Sequence, residues 1–160
     1  MAGSMPRWLR TLYGVPRHLY AHHAGFLLGH RFLQLDHVGR RSGRPYSTVL
    51  EVLHRDARAQ EYFVVAGYGH WADWLRNVRA AQHVRIHIAR EEHAATWRLV
   101  KEDEALAIFT AYERRYRVAA PALRLVLSRL LGWRYDGSPA ARDRLVREMP
   151  MTAFRPVDEA

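Results

Sequence analysis

The run Val84-Arg85-Ile86-His87-Ile88 places an apolar side chain at every second position, the period of a strand with one face against a core. A helix would scatter that set around its axis. Five further runs read as strands. Residues 31–38 alternate about Leu33 and Leu35, and residues 46–54 carry the β-branched Thr48, Val49 and Val52 before a turn at Asp56-Ala57-Arg58. Residues 62–66 are short and continuously apolar, which predicts a central strand buried on both faces. Ala95, Trp97 and Leu99 form the inward set of the next, after a turn at Glu91-Glu92, and residues 151–155 add a closing strand. A doubly wound parallel sheet needs a helix after nearly every strand, and here only the third and fourth have that arrangement. The pattern predicts an antiparallel or mixed sheet that closes on itself.

Helical periods occupy the remainder. Trp71, Trp74, Leu75 and Val78 fall on one stripe, as do Ala105, Ile108, Phe109, Tyr112 and Tyr116. Pro121 opens a helix whose Ala122, Leu123, Val126, Leu127, Leu130 and Leu131 suit a core or a homodimer interface, and Ser138-Pro139 is a cap-then-proline start for a helix that stops at Pro150. Residues 6–30 read as one or two short amphipathic helices around Trp8, Leu9, Leu12, Leu19 and Phe26, packed on the domain or resting peripherally on a membrane surface. At 160 residues the chain is expected to be one domain, 1–160, with that N-terminal segment.

The formal charge of +9 calls for an anionic partner, carried by arginine with Lys101 the single lysine. No nucleic-acid-binding module accompanies the charge, so nucleic acid is not the expected partner. The chain has no cysteine, which excludes disulfides, thiolate nucleophiles and thiolate metal sites. His18, His22, His23 and His30 lack a carboxylate at a fitting spacing, so no metal is expected. The absence of a signal-type apolar region or a run of about eighteen apolar residues leads to a cytoplasmic expectation.

Between the first two strands, Gly39-Arg40-Arg41-Ser42-Gly43-Arg44-Pro45-Tyr46-Ser47-Thr48 combines a glycine-proline turn, three arginines and three aliphatic hydroxyls. That is the chemistry of an anion cradle, and equally of a basic surface turn. The third strand ends at Ala66-Gly67-Tyr68-Gly69, where glycines let a flat ligand approach main-chain amides. Asp73, Trp74, Arg76 and Asn77 follow within one helical turn. No nucleophile–base pair is visible, so an organic cofactor would have to carry the reactive centre.

These paired motifs, Gly-Arg-Arg-Ser-Gly-Arg-Pro after a strand and Val-Val-Ala-Gly-Tyr-Gly before Asp-Trp-Leu-Arg-Asn-Val, resemble the deazaflavin-dependent nitroreductase family. The resemblance runs from about Pro6 to the terminal Ala-Phe-Arg-Pro. It implies an α+β fold, a six-stranded split β-barrel of the flavin-binding type with peripheral helices. It also implies coenzyme F420, with FMN the less favoured variant, and hydride transfer to an electrophilic small-molecule acceptor such as a quinone, enone or nitroaromatic. Arg40, Arg41 and Arg44 would supply charge to the coenzyme's phosphate and acidic tail, with Ser42, Ser47 and Thr48 as donors. Pro45 and Tyr46 would run beside the deazaflavin, Ala66, Gly67, Tyr68 and Gly69 would border its ring, and Trp74, Arg76 and Asn77 would complete the wall. The chain departs from the family where Gly67-Tyr68-Gly69 replaces a lysine-bearing Ser-Lys-Gly-Gly, and where Tyr46 replaces an arginine after the proline. Tyr68, Tyr112, Tyr116 and Tyr135 are candidates to face the acceptor, but no catalytic residue is assigned. The alternative is a non-catalytic split-barrel module that binds a cofactor or a membrane surface.

Overall fold

The computed structural model describes residues 30–81 and 83–157. Apart from His30, the helical reading of residues 6–30, its membrane alternative and the histidines at 18, 22 and 23 fall outside the described residues. Six strands, β1 (Phe32–Val38), β2 (Pro45–Asp56), β3 (Glu61–Val65), β4 (Val84–Ile88), β5 (Glu91–Leu99) and β6 (Met151–Val157), make a closed barrel in the order β1-β2-β3-β6-β5-β4. Every pairing is antiparallel. Closure removes the exposed edges that an open sheet would present. Among the described residues four α-helices accompany it: α1 (Asp73–Arg79), α2 (Glu102–Arg115), α3 (Ala120–Leu131) and α4 (Pro139–Glu148).

Alternation sorts the strands into two cores. Leu33, Leu35, Leu50, Tyr62, Val64, Val84, Ile86, Ile88, Ala95 and Phe154 point into the barrel, where Trp74, Leu75 and Val78 of α1 pack on them. The opposite faces of β2, β3 and β6 contribute Leu53, Phe63, Met151 and Ala153 to a second core with Phe109 of α2, Leu127 of α3 and Leu145 of α4. β3 feeds both, which is why its sequence is continuously apolar rather than alternating. A bulge in β2 shifts the register between Val52 and His54. Leu53 faces outward by alternation from Val52, and the bulge keeps His54 on that same face, its ring tilted against Phe63 at 5.4 Å.

α4 starts as its sequence predicts, with the Ser138 hydroxyl accepting from the Ala141 N–H at 3.2 Å. α3 spends much of its apolar side on the second core, while Val118 in the preceding turn stays 93% exposed. Two expectations change. Glu91 and Glu92 lie inside β5, paired with Ile88 and His87, and the turn is Ala89-Arg90, with Ala89 in the left-handed region at φ 54°. Trp71 is 80% exposed, because Gly69–Trp71 is a 3₁₀ turn and Ala72 (φ −54°, ψ 121°) breaks the phase before α1 begins.

Candidate active site

The β1–β2 hairpin closes through two backbone bonds, Gly39 N–H to the Arg44 carbonyl and Gly43 N–H to the Gly39 carbonyl, both 2.8 Å. Gly43 sits at φ 67°, where L side chains are strained. Gly39 is required for a different reason. A Cβ there would lie 2.5 Å from the Ser42 hydroxyl oxygen and 2.8 Å from the Tyr46 ring, so only glycine lets that ring fold across the turn.

The hairpin tip is bracketed to α1 by one side chain. Asn77, 5% exposed, accepts at Oδ1 from the Arg40 backbone N–H (3.1 Å) and from Arg40 Nη1 (2.9 Å), and its Nδ2 donates to His37 Nδ1 at 3.1 Å. Arg40 Nη1 also reaches Asp73 Oδ1 at 3.2 Å. Trp97 of β5 anchors the far end of the helix by donating Nε1–H to the Ala81 carbonyl at 2.9 Å. Between hairpin and helix lies a cavity of about 640 Å³, lined by His37, Gly39, Arg40, Arg41, Ser42, Tyr46, Ser47, Thr48, Tyr68, Asp73, Trp74 and Asn77. That volume lies in the range of small-molecule and cofactor sites.

The sequence-derived residues divide accordingly. Arg40, Arg41, Ser42, Tyr46, Ser47, Thr48, Tyr68, Trp74 and Asn77 line the cavity. Arg44 and Pro45 are exposed on the turn, Ala66 is buried in the barrel core, and Gly67 and Gly69 are half-buried beside Tyr68. The Arg76 guanidinium lies over the Trp71 ring, 5.7 Å from its centroid, and 4.0 Å from Asp73. Ser47, one step out of phase with Tyr46 and Thr48, donates its hydroxyl to Asp36 Oδ1 at 2.6 Å. Burial pushes the Asp36 carboxyl up, yet hydrogen bonds from Ser47, His87 and Gln34 outweigh it and hold the group below its ordinary value.

Of the four candidate tyrosines, Tyr68 alone borders the cavity. Tyr112 donates to Glu51 and Tyr135 to Glu113, and burial pushes both phenols above their ordinary value. Tyr116 packs on Tyr112, with ring centroids 4.8 Å apart. Asp73, which the sequence places within one helical turn of Asn77 without a role at the site, lines the cavity, and so does His37, which the sequence reading of the site missed. The signal for His37 was its place in the inward series Leu33, Leu35, His37, a polar side chain where the alternation calls for an apolar one. It is 6% exposed, and burial lowers its imidazole below the ordinary value against the pull of Asp36 and Asp73. Among the described residues no group of three or more histidines, acids or cysteines could hold a metal.

A family model described as F420H(2)-dependent quinone reductase matches residues 8–122. The chain belongs to this family. As a member of the F420H2-dependent quinone reductases it is an F420-dependent reductase, and its coenzyme is the deazaflavin F420. No match was found among curated proteins. Among solved structures it is similar to the protein Atu2129 (unknown function) from Agrobacterium tumefaciens, with TM-score 0.51 and 15% identity over 95% of this chain; it spans 57% of that one. HutZ, the heme storage protein from Vibrio cholerae, aligns with TM-score 0.52 and 17% identity over 88% of this chain and 92% of its own. Such identities show the fold alone, the split barrel that the sequence resemblance implied. The cavity fits the coenzyme's chemistry. Arg41 and Arg44 are exposed and make no ion pair among the described residues, leaving cationic charge for an anionic tail, while Tyr46, Tyr68 and Trp74 offer flat apolar surface.

Proposed function

We propose that the protein reduces a quinone-type acceptor at the cavity between the β1–β2 turn and α1. When bound, the reduced coenzyme supplies a hydride, and one proton completes the hydroquinone. The observation that carries the reading is the convergence, on one cavity, of the arginine-bearing turn with Tyr46, Thr48, Tyr68 and Trp74. In this reading Arg41 and Arg44 hold the phosphate and acidic tail as point-charge and fork donors, and Ser42 and Thr48 offer hydroxyls. Tyr46, Tyr68 and Trp74 flank the ring and keep water from it, which strengthens every polar contact inside. Arg40 and Asn77 act one step back, by holding the turn against the helix. Solvent, or the Tyr68 hydroxyl at the exposed rim, provides the proton.

Quinone is favoured over enone and nitroaromatic acceptors because the family description names it. The test is steady-state oxidation of reduced F420 by purified protein, followed by recovery of the oxidised coenzyme's fluorescence. A soluble naphthoquinone, an enone and a nitroaromatic are supplied in parallel. Turnover with the quinone at the highest kcat/KM is expected. Turnover with none of them would overturn the proposal, and preference for either other class would reassign the acceptor.

A further inference from the structure

The hydrogen bonds beneath the cavity have a direction that the donors themselves dictate. Arg40 reaches Asn77 with a backbone N–H and a guanidinium N–H, groups that can only donate. The Asn77 oxygen must therefore face Arg40, which leaves its amide nitrogen facing His37 Nδ1 at 3.1 Å. A ring nitrogen that accepts there carries its lone pair, so the neutral ring bears its hydrogen on Nε2. Nε2 lies 3.2 Å from Thr48 Oγ1, and the hydroxyl accepts from it. Thr48 makes no other side-chain hydrogen bond among the described residues, and it lines the cavity. Its own hydrogen is then the one group in the series left without a partner.

We infer that Arg40, Asn77 and His37 form a one-way relay that sets the Thr48 hydroxyl as a hydrogen-bond donor into the cavity, selecting a carbonyl or anionic oxygen of the bound coenzyme. His37 is a positioning residue and Thr48 the residue in contact. The inference rests on the cavity being the coenzyme site. Aligned bonds of this kind polarise one another, so the terminal donor is stronger than an isolated hydroxyl. Protonating His37 would set Nδ1–H against the Asn77 amide hydrogens and break the relay at its middle. The groups facing His37 are Asp36 beside it on β1, Asp73 on α1, the Tyr46 ring stacked at 5.9 Å from β2, and Arg40 through Asn77. The two acids draw a proton toward the ring and burial resists it, with burial the larger effect.

The relay is read on the coenzyme-free protein by ¹⁵N NMR of the histidine rings. At pH 7 His37 should show a protonated Nε2 and a lone-pair Nδ1, while Nδ1–H or a doubly protonated ring would overturn the relay. The contact is read by F420 fluorescence titration. Thr48→Ser should bind within about twofold of wild type and the near-isosteric Thr48→Val about tenfold more weakly, the size of one hydrogen bond. Wild-type affinity should fall as pH drops through the His37 value, which burial holds below that of an ordinary histidine, by more than that of Thr48→Val, which shares any titration of the coenzyme itself. Equal affinity of Thr48→Val and wild type would overturn the contact. A wild-type protein that binds no F420 would overturn the coenzyme reading and the ligand assigned to Thr48, and the NMR result would still decide the relay on its own.

Discussion

Replacing Asn77 by alanine tests the bracket that positions the site. The substitution removes three hydrogen bonds at once: two from Arg40 and one to His37. Their costs differ. The Arg40 groups are half-exposed and water can replace Asn77 there, so each bond is worth the usual net of about 0.5–1.5 kcal/mol. His37 Nδ1 is buried, and its lost partner costs about 1–3 kcal/mol unless water enters. With the solvated pair counted at half its value, the sum is about 1.5–4.5 kcal/mol, or a fall in Tm of roughly 3–18 °C for a chain of this length. The assay is thermal unfolding by circular dichroism beside F420 titration of the folded variant, whose affinity should also drop because the arginine turn is no longer held to α1. A Tm within about 1 °C of wild type, with unchanged affinity, would refute the reasoning, since no buried acceptor could then have been orphaned.

Further outcomes follow from other parts of the structure. The double variant Arg41→Ala/Arg44→Ala should weaken F420 binding by about tenfold or more and leave Tm within about 1 °C, since both side chains are exposed and unpaired among the described residues; isothermal titration and a thermal melt separate the two effects. Gly69→Ala should destabilise by about 3 kcal/mol or more in urea unfolding, because φ is 63° and the new Cβ would lie 2.6 Å from the Glu148 carbonyl oxygen, a backbone atom that cannot swing aside. Hydrogen bonds from Arg98 hold the buried Glu61 carboxyl below its ordinary 4.5. The unfolded chain therefore takes up that proton first: the stabilisation is complete above about pH 4.5 and is lost as pH falls through the lower folded value. Acid titration of stability should be shallower in Glu61→Gln than in wild type.

Much of the barrel was legible because its signals are local. Leu33 and Leu35, and Val84, Ile86 and Ile88, state their inward face by alternation, and Ser138-Pro139 states a helix start by capping chemistry. Features set by packing partners were not legible. The β2 bulge, which leaves His54 on the same face as Leu53, has no local mark in the sequence. The turn at Ala89 carries no glycine to announce its positive φ, so the charged pair beside it drew the boundary instead. Trp71 kept a helical spacing to Trp74 through a segment that is not α-helical. At the site, the arginine turn and the aromatic wall could be read as residue types. The division of labour among the arginines could not, because only the fold shows that Arg40 is taken by Asn77 and Asp73 while Arg41 and Arg44 are not.

The cavity between the β1–β2 turn and α1 is the proposed seat of coenzyme F420. Titrating the purified protein with F420 while following coenzyme fluorescence asks this directly, with the Arg41→Ala/Arg44→Ala variant and FMN as comparisons. A saturable change at micromolar coenzyme, weakened in the double variant and not reproduced by FMN, is the expected result. No saturable change with F420, or tighter binding of FMN, would contradict it.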